Sequence, residues 1–308
     1  FTDGWHAKVE FSKDWREDAS RRDFTINSIY SDQYGNLFDP YGGKKDLENG
    51  FINFIGDADK RIKEDYLRIL RYLRFFLNYS KQSHNLKIIK SLRMNLSGIS
   101  KLSKDRLLDE LKKIIKLNTL EKLSNDKFCL ELILLIFPEF NNIKIFSKLN
   151  SIKKNYLKQN DFIFLISLML ISENDNTDYF LYKFNISKKN QKRIKIIDSF
   201  YKDKVNSQTF TENNMNKVFY FDGKQAVLDV LKFRIIKSKN LDKKLIELYN
   251  NYENKMMPTL PIGADLLMKK YKIPKGKQLG DKLRMIEKEW VSNNFKISDP
   301  QVDKIVNN

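Results

Sequence analysis

The sequence predicts an α+β protein with a small segment of short strands at the N-terminal end and a long helical array after it. Three observations predict this. Residues 1 to about 56 run in short β-prone pieces broken by glycine turns. From Gly56 onward the apolar residues recur at three- and four-residue steps, the helical period. Few strand signals return after that point.

The elements follow in order. His6 to Phe11 alternates like a strand, with Ala7, Val9 and Phe11 on one face. Phe24 to Tyr30 is rich in Phe, Thr, Ile and Tyr and reads as a second strand. Asp32 to Gly35 is a turn, and Leu37-Phe38 a short extended piece. Asp39-Pro40-Tyr41-Gly42-Gly43 is a further turn, where glycine supplies positive φ. Phe51 to Ile55 is a last short strand. Ile62, Tyr66, Ile69, Leu70, Leu73, Phe76 and Leu77 then form one helical stripe. Leu107, Leu108, Leu111, Ile114 and Ile115 repeat it, with Ser103 ahead as N-cap. Helices are also expected around 121–137, 160–172, 188–202, 224–237, 241–253 and 281–294. Gly263 to Trp290 resembles a helix–turn–helix with glycine caps.

Composition narrows the function. The chain has 308 residues with 57 Lys plus Arg against 39 Asp plus Glu, a net charge of +18. A length above 300 residues favours more than one domain. Such a charge suits either a solvated basic surface or a polyanionic partner. One cysteine, Cys129, excludes a disulfide framework, and it reads as a packed core thiol. Two separated histidines, His6 and His84, give no histidine-rich metal site. The apolar runs near 162–171 and 132–137 are too short to span a bilayer. A soluble cytoplasmic protein with no membrane partner is expected.

Two clusters carry chemistry. In the first, Asp18 to Asn27, Arg21 and Arg22 suit phosphate because guanidinium donors match its oxygens bidentately, and Asp23 could accept from a ribose hydroxyl. The same residues would also serve as a surface ion-pair cluster. The second is Arg61, Glu64, Asp65, Arg68, Arg71 and Arg74. Asp65 and Arg68 are three apart, so they are expected on one face of the helix. An intrahelical salt-bridge ladder is one outcome. The other is base reading: a carboxylate only accepts and a guanidinium only donates. Side by side they match the amine donor and ring-nitrogen acceptor of cytosine and adenine. Uracil and guanine present the reverse order, and each buried mismatch costs about 1–3 kcal/mol.

Basic clusters at Lys188, Lys189, Lys192 and Arg193, and at Lys275 and Lys277, could meet RNA phosphates or form an ordinary solvated face. The lysines after Gly42-Gly43 do not have P-loop spacing, so that turn is read as structural.

Together these motifs resemble the class II tRNA nucleotidyltransferase (CCA-adding enzyme) and bacterial poly(A) polymerase family. Arg21-Arg22-Asp23-Phe24-Thr25-Ile26-Asn27 is similar to its motif B, and Glu64-Asp65-Tyr66-Leu67-Arg68-Ile69-Leu70-Arg71 to its base-reading motif. Asp39 to Gly43 with Asp46-Leu47 resembles the turn between them, and Ser103 to Glu110, with Arg106, a neck motif. The resemblance implies a nucleotidyltransferase head over 1–56, a neck over 57–118, a helical body over 119–205 and a helical tail over 206–308. It implies addition of C, C and A to tRNA from CTP and ATP with Mg²⁺ and no nucleic-acid template. It implies nucleotide binding by Arg21, Arg22, Asp23, Asn27, Asp65, Arg68 and Arg71, support from Glu64 and Arg106, and RNA binding by the six basic residues above. A poly(A) polymerase of the same family and a non-catalytic RNA-binding protein on this scaffold are the alternatives. A phosphohydrolase is disfavoured because neither histidine is followed by Asp. The family's Asp-x-Asp metal motif stands upstream of motif B and does not occur among the twenty residues before Arg21. No catalytic or metal-holding residue is therefore assigned, the head is expected to be incomplete, and the chain is expected not to transfer nucleotides alone.

Overall fold

The computed structural model describes residues 14–158, 161–173, 175–202 and 210–307. The strand expected over His6 to Phe11 lies outside the described residues. The chain divides into two compact units, the first ending at Pro138 and the second starting at Glu139.

The first unit opens with α1 (Trp15–Ser20), capped by Asp14, whose side chain accepts from the Arg16 N–H. The strand expected from Phe24 to Tyr30 is not continuous. Phe24 makes an isolated antiparallel bridge to Phe54, and Thr25–Asn27 is a 3-10 turn. Only β1 (Tyr30–Ser31) pairs, antiparallel, with β2 (Leu37–Phe38). Local bonds explain the interruption: the Ser28 hydroxyl donates to the Thr25 carbonyl at 2.7 Å, and the Thr25 hydroxyl to Asp46 at 2.7 Å. Helix α2 (Gly43–Asn49) follows where the sequence reads only as a turn. Asp39 seeds it by accepting from the N–H groups of Gly43 and Lys44 at 2.7 and 2.9 Å. Gly42 takes φ +70°, and a Cβ on Gly43 would collide with the Thr25 carbonyl. The glycine pair therefore closes α2 onto the arginine segment.

The single helix expected after Gly56 is two. Helix α3 (Ala58–Glu64) ends at Asp65, which is extended at φ −154°, and α4 (Arg68–Tyr79) starts three residues later. The apolar stripe runs through the break, so periodicity does not reveal it. Ile62, Ile69, Leu70, Tyr72, Leu73, Phe75 and Leu77 are buried, at roughly 1.5–3 kcal/mol for each large apolar side chain. Phe24 and Phe54 pack at 4.5 Å between ring centres, and Phe24 meets Phe75 of α4 at 5.2 Å. This aromatic cluster fixes the N-terminal segment on α4. Then come α5 (Leu86–Met94), α6 (Lys104–Ile114), α7 (Leu117–Asn125) and α8 (Lys127–Ile136). Ser103 caps α6 as its sequence predicts. Asp126 divides the helix expected over 121–137 by capping α8, accepting from the Cys129 N–H at 2.8 Å. Helix α4 packs on α6 and α7, and α3 on α5.

The second unit is helical throughout its described residues: α9 (Ser151–Asn155), α10 (Phe162–Leu170), α11 (Asn176–Lys183), α12 (Lys188–Lys202), α13 (Glu212–Asp222), α14 (Lys224–Lys237), α15 (Lys243–Asn254), α16 (Ala264–Tyr271), α17 (Lys277–Ser292) and α18 (Asp299–Asn307). Helix α14 is its axis, packed by α12, α13 and α15 and buried from Ala226 to Leu231. Helices α16, α17 and α18 enclose a smaller core of Leu267, Ile273, Leu279, Ile286 and Val302. The helix pair expected around Gly263 to Trp290 is α16 and α17, with Gly263 and Gly276 as N-caps. No helix among the described residues is long and apolar enough to cross a membrane.

Candidate nucleotide-selecting site

Helix α1 presents Asp18 one turn before Arg21 and Arg22. Its carboxylate accepts from Arg21 Nε at 2.8 Å, from Arg22 Nη2 at 2.7 Å and from the Tyr30 hydroxyl at 2.6 Å. These bonds, from Tyr30, then Arg22, then Arg21, hold its carboxyl well below the usual carboxylate range. Trp15 stacks on Tyr30 at 5.7 Å and fixes the hydroxyl's place. The two guanidinium groups remain about half exposed or more, at 65% and 48%. They are oriented yet accessible, the state that a phosphate site needs.

Asp23 and Arg71 are different. Asp23 is 6% exposed and accepts from Arg71 Nε, from Asn27 Nδ2 at 2.9 Å and from the Phe24 N–H at 3.0 Å. Burial pushes its carboxyl up, but the bonds from Arg71 and Asn27 outweigh this and hold it below its ordinary value. Asp23, Asn27 and Arg71, expected to bind nucleotide, are bonded to each other. They fasten the arginine segment to α4.

The premise that Asp65 and Arg68 share one helical face is corrected. Asp65 lies in the break, where its side chain accepts from the Leu67 N–H at 3.1 Å and from Arg106 Nη2 of α6 at 2.8 Å. Arg68 opens α4. Its Nη1 donates to the Arg61 carbonyl at 2.7 Å and to Glu64. Its Nε and Nη2 have no partner among the described residues. The break joins the two residues through the main chain, the Arg68 N–H donating to the Asp65 carbonyl at 3.0 Å. Tyr66 sits between them with its ring on Gly98, where a Cβ would collide with it.

Sequence reasoning placed Arg61 in the second cluster as part of a salt-bridge ladder, and in the structure it also joins the two clusters. Its Nε donates to the Ile55 carbonyl at 2.9 Å, its Nη2 to the Ser20 carbonyl, and its Nη1 to Glu64 at 3.1 Å. Burial pushes the Glu64 carboxyl up, and the bonds from Arg68 and Arg61 bring it net below its ordinary value. A chain of contacts thus runs from Ser20, beside Arg21, through Arg61 and Glu64 to Arg68. The spacing signal for Asp18 was present, since it lies three and four residues before the arginines. Nothing local marks the bond from Arg61 to Ser20, 41 residues away.

The basic residues of the second unit separate. Lys188, Lys189, Lys275 and Lys277 are exposed. Lys192 is exposed and pairs with Asp222 at 2.8 Å. Arg193, expected to contact RNA, has a side chain that is 18% exposed and bonded to Asp161 and to fully buried Asp229. It ties α12 to α14 and to the start of α10.

Residues 2–53 match the family described as Poly A polymerase head domain, and residues 156–299 that described as tRNA nucleotidyltransferase domain 2, putative. The chain is 46% identical over 116 residues to the mitochondrial CCA tRNA nucleotidyltransferase 1 of Homo sapiens, covering 37% of this chain and 27% of that protein. It is 30% identical over 237 residues to the CCA-adding enzyme of Staphylococcus haemolyticus, covering 76% and 56%. It therefore spans about a quarter to a half of these relatives' lengths. The Bacillus stearothermophilus CCA-adding enzyme, solved in complex with CTP, shares the fold at a TM-score of 0.64 and 20% identity, over 97% of this chain and 75% of that one. The two family matches flank the Glu64 to Arg71 segment, and with the shared fold they establish membership: the chain belongs to the class II tRNA nucleotidyltransferase and bacterial poly(A) polymerase family.

Proposed function

We propose that this chain selects nucleotides and binds RNA for tRNA 3′-terminal CCA addition, the transfer of CMP and AMP from CTP and ATP without a nucleic-acid template. What supports this is the break between α3 and α4: Asp65 lies in it, held by Arg106, while Arg68 opens α4 and is tied through Glu64 and Arg61 to Ser20, beside Arg21. Arg21 and Arg22 would hold the triphosphate, and Asp65 and Arg68 the base. Asp23, Asn27 and Arg71 would hold that frame together, and Arg106 would orient Asp65. Residues 1–56 are the proposed head, 57–118 the neck, 119–205 the body and 206–308 the tail. Lys188, Lys189, Lys192, Lys275 and Lys277 are the proposed RNA contacts. The proposed compartment is the cytoplasm, and imaging a tagged chain distinguishes it from the mitochondrial setting in the human relative's name.

Nucleotidyltransferases depend on a divalent metal, and Mg²⁺ is the ion we propose. The described residues beside the arginines do not fit it. Asp18 is bonded to Arg21, Arg22 and Tyr30, and Asp23 to Arg71, Asn27 and Phe24. No transfer step is assigned to them. The test is equilibrium binding of the four ribonucleoside triphosphates to the chain. CTP and ATP are expected to bind at least about tenfold tighter than UTP and GTP, since two mismatches at the lower figure already amount to about 2 kcal/mol. Four equal affinities would overturn the reading.

A further inference from the structure

We infer that His84, Asp126 and Cys129 form a three-ligand site for a zinc-class divalent cation in the first unit, sharing no residue with the nucleotide-selecting site. Their donor atoms lie within 4.8 Å of one another. His84 Nε2 is 3.1 Å from Asp126 Oδ1 and 3.6 Å from Cys129 Sγ. A tetrahedral ion with bonds of about 2.0–2.1 Å to nitrogen or oxygen and about 2.3 Å to sulfur needs ligand separations of roughly 3.3 and 3.6 Å. One imidazole, one carboxylate and one thiolate is a borderline-soft donor set.

The surroundings hold the ring as a ligand must be held. It stacks on Phe76 at 3.6 Å and meets Phe128 edge-on at 4.9 Å. Its other nitrogen, Nδ1, is 3.0 Å from the buried Tyr72 hydroxyl. A hydroxyl donates or accepts, so Tyr72 satisfies Nδ1 in either tautomer, including the one that frees Nε2 for a metal. The ion would fasten the loop after α4 to the first turn of α8. It has a way in: a pocket of about 700 Å³ is lined by His84 and Asp126 together with Phe76, Leu77, Asn118 and Lys122. Cys129 is fully buried, which holds its thiol protonated, so binding must displace that proton.

Cobalt(II) added to the chain as it stands is the probe. The expected result is one equivalent bound, with a near-ultraviolet thiolate-to-cobalt band, visible bands of four-coordinate intensity, and displacement by Zn²⁺. Cys129→Ser should abolish the near-ultraviolet band. Asp126→Asn, which keeps an acceptor for the Cys129 N–H, should weaken binding at least tenfold, as should His84→Gln. No band at one equivalent, or a band unchanged in Cys129→Ser, would overturn the site. Should Cys129→Ser fail to fold, full-strength cobalt binding by either Asp126→Asn or His84→Gln overturns it equally. A hydrogen-bonded His–Asp pair with a bystander thiol predicts those negative results.

Discussion

Asp18 shows how one carboxylate orients two guanidinium groups, the proposed phosphate contacts. It takes bonds from Arg21, Arg22 and Tyr30 while the guanidinium groups stay open to solvent. Asp18→Asn keeps the shape and removes the charge. CTP and ATP affinities should then fall together, by about three- to tenfold, in calorimetric titrations; loss of one nucleotide alone would contradict the assignment. Gly43 is a second single-residue control. Gly43→Ala drives a Cβ into the Thr25 carbonyl, and such overpacking costs typically about 1–3 kcal/mol. Urea unfolding should show a lowered midpoint. The glycines were legible in the sequence as a turn. Their reason was not, because the clash partner is a carbonyl eighteen residues earlier.

At the scale of elements, the Asp23–Arg71 pair fastens the N-terminal segment to α4. Removing one partner of a fully buried pair costs about 3–5 kcal/mol. Arg71 is 29% exposed, so Asp23→Ala should cost less, about 2–3 kcal/mol. The pH dependence follows from the direction of the shift. Asp23 has its carboxyl lowered on folding, so its stabilisation is fully present above the unfolded value near 3.9 and is lost as pH falls through the folded value. Acid titration of wild-type stability below about pH 4 should be steeper than that of Asp23→Asn. The helical stripe from Ile62 to Leu77 was readable because burial follows the period: Ile62, Ile69, Leu70, Leu73 and Leu77 are all buried. The break at Asp65 was not, since the stripe continues across it and the Arg106 partner lies 41 residues on. Helix α2 was missed because a helix starting at a glycine pair has the signature of a turn. The Phe24 to Tyr30 strand was overread because its β-prone residues are spent on aromatic packing and local bonds.

For the molecule as a whole, a net charge of +18 makes RNA affinity a function of salt. Each phosphate contact contributes about 0.7 to the log–log salt slope on single strands and about 0.9 on duplex. Lys188→Ala or Lys275→Ala should reduce the slope by about that much. Arg193→Ala should leave the slope unchanged and lower Tm, because it strands Asp229 in the second unit's core. A changed slope in that variant would restore Arg193 as an RNA contact. Charge and the predominantly helical character were legible from composition and period. Which cations face solvent was not, since that depends on carboxylates brought in from other helices.

The central claim is that Asp65 and Arg68 choose the base. The most direct measurement is the ratio of UTP to CTP dissociation constants in the wild-type chain and in Arg68→Ala. The account predicts a ratio of about ten or more that collapses toward one in the variant, with helix content unchanged by circular dichroism. A ratio that survives Arg68→Ala intact would contradict it.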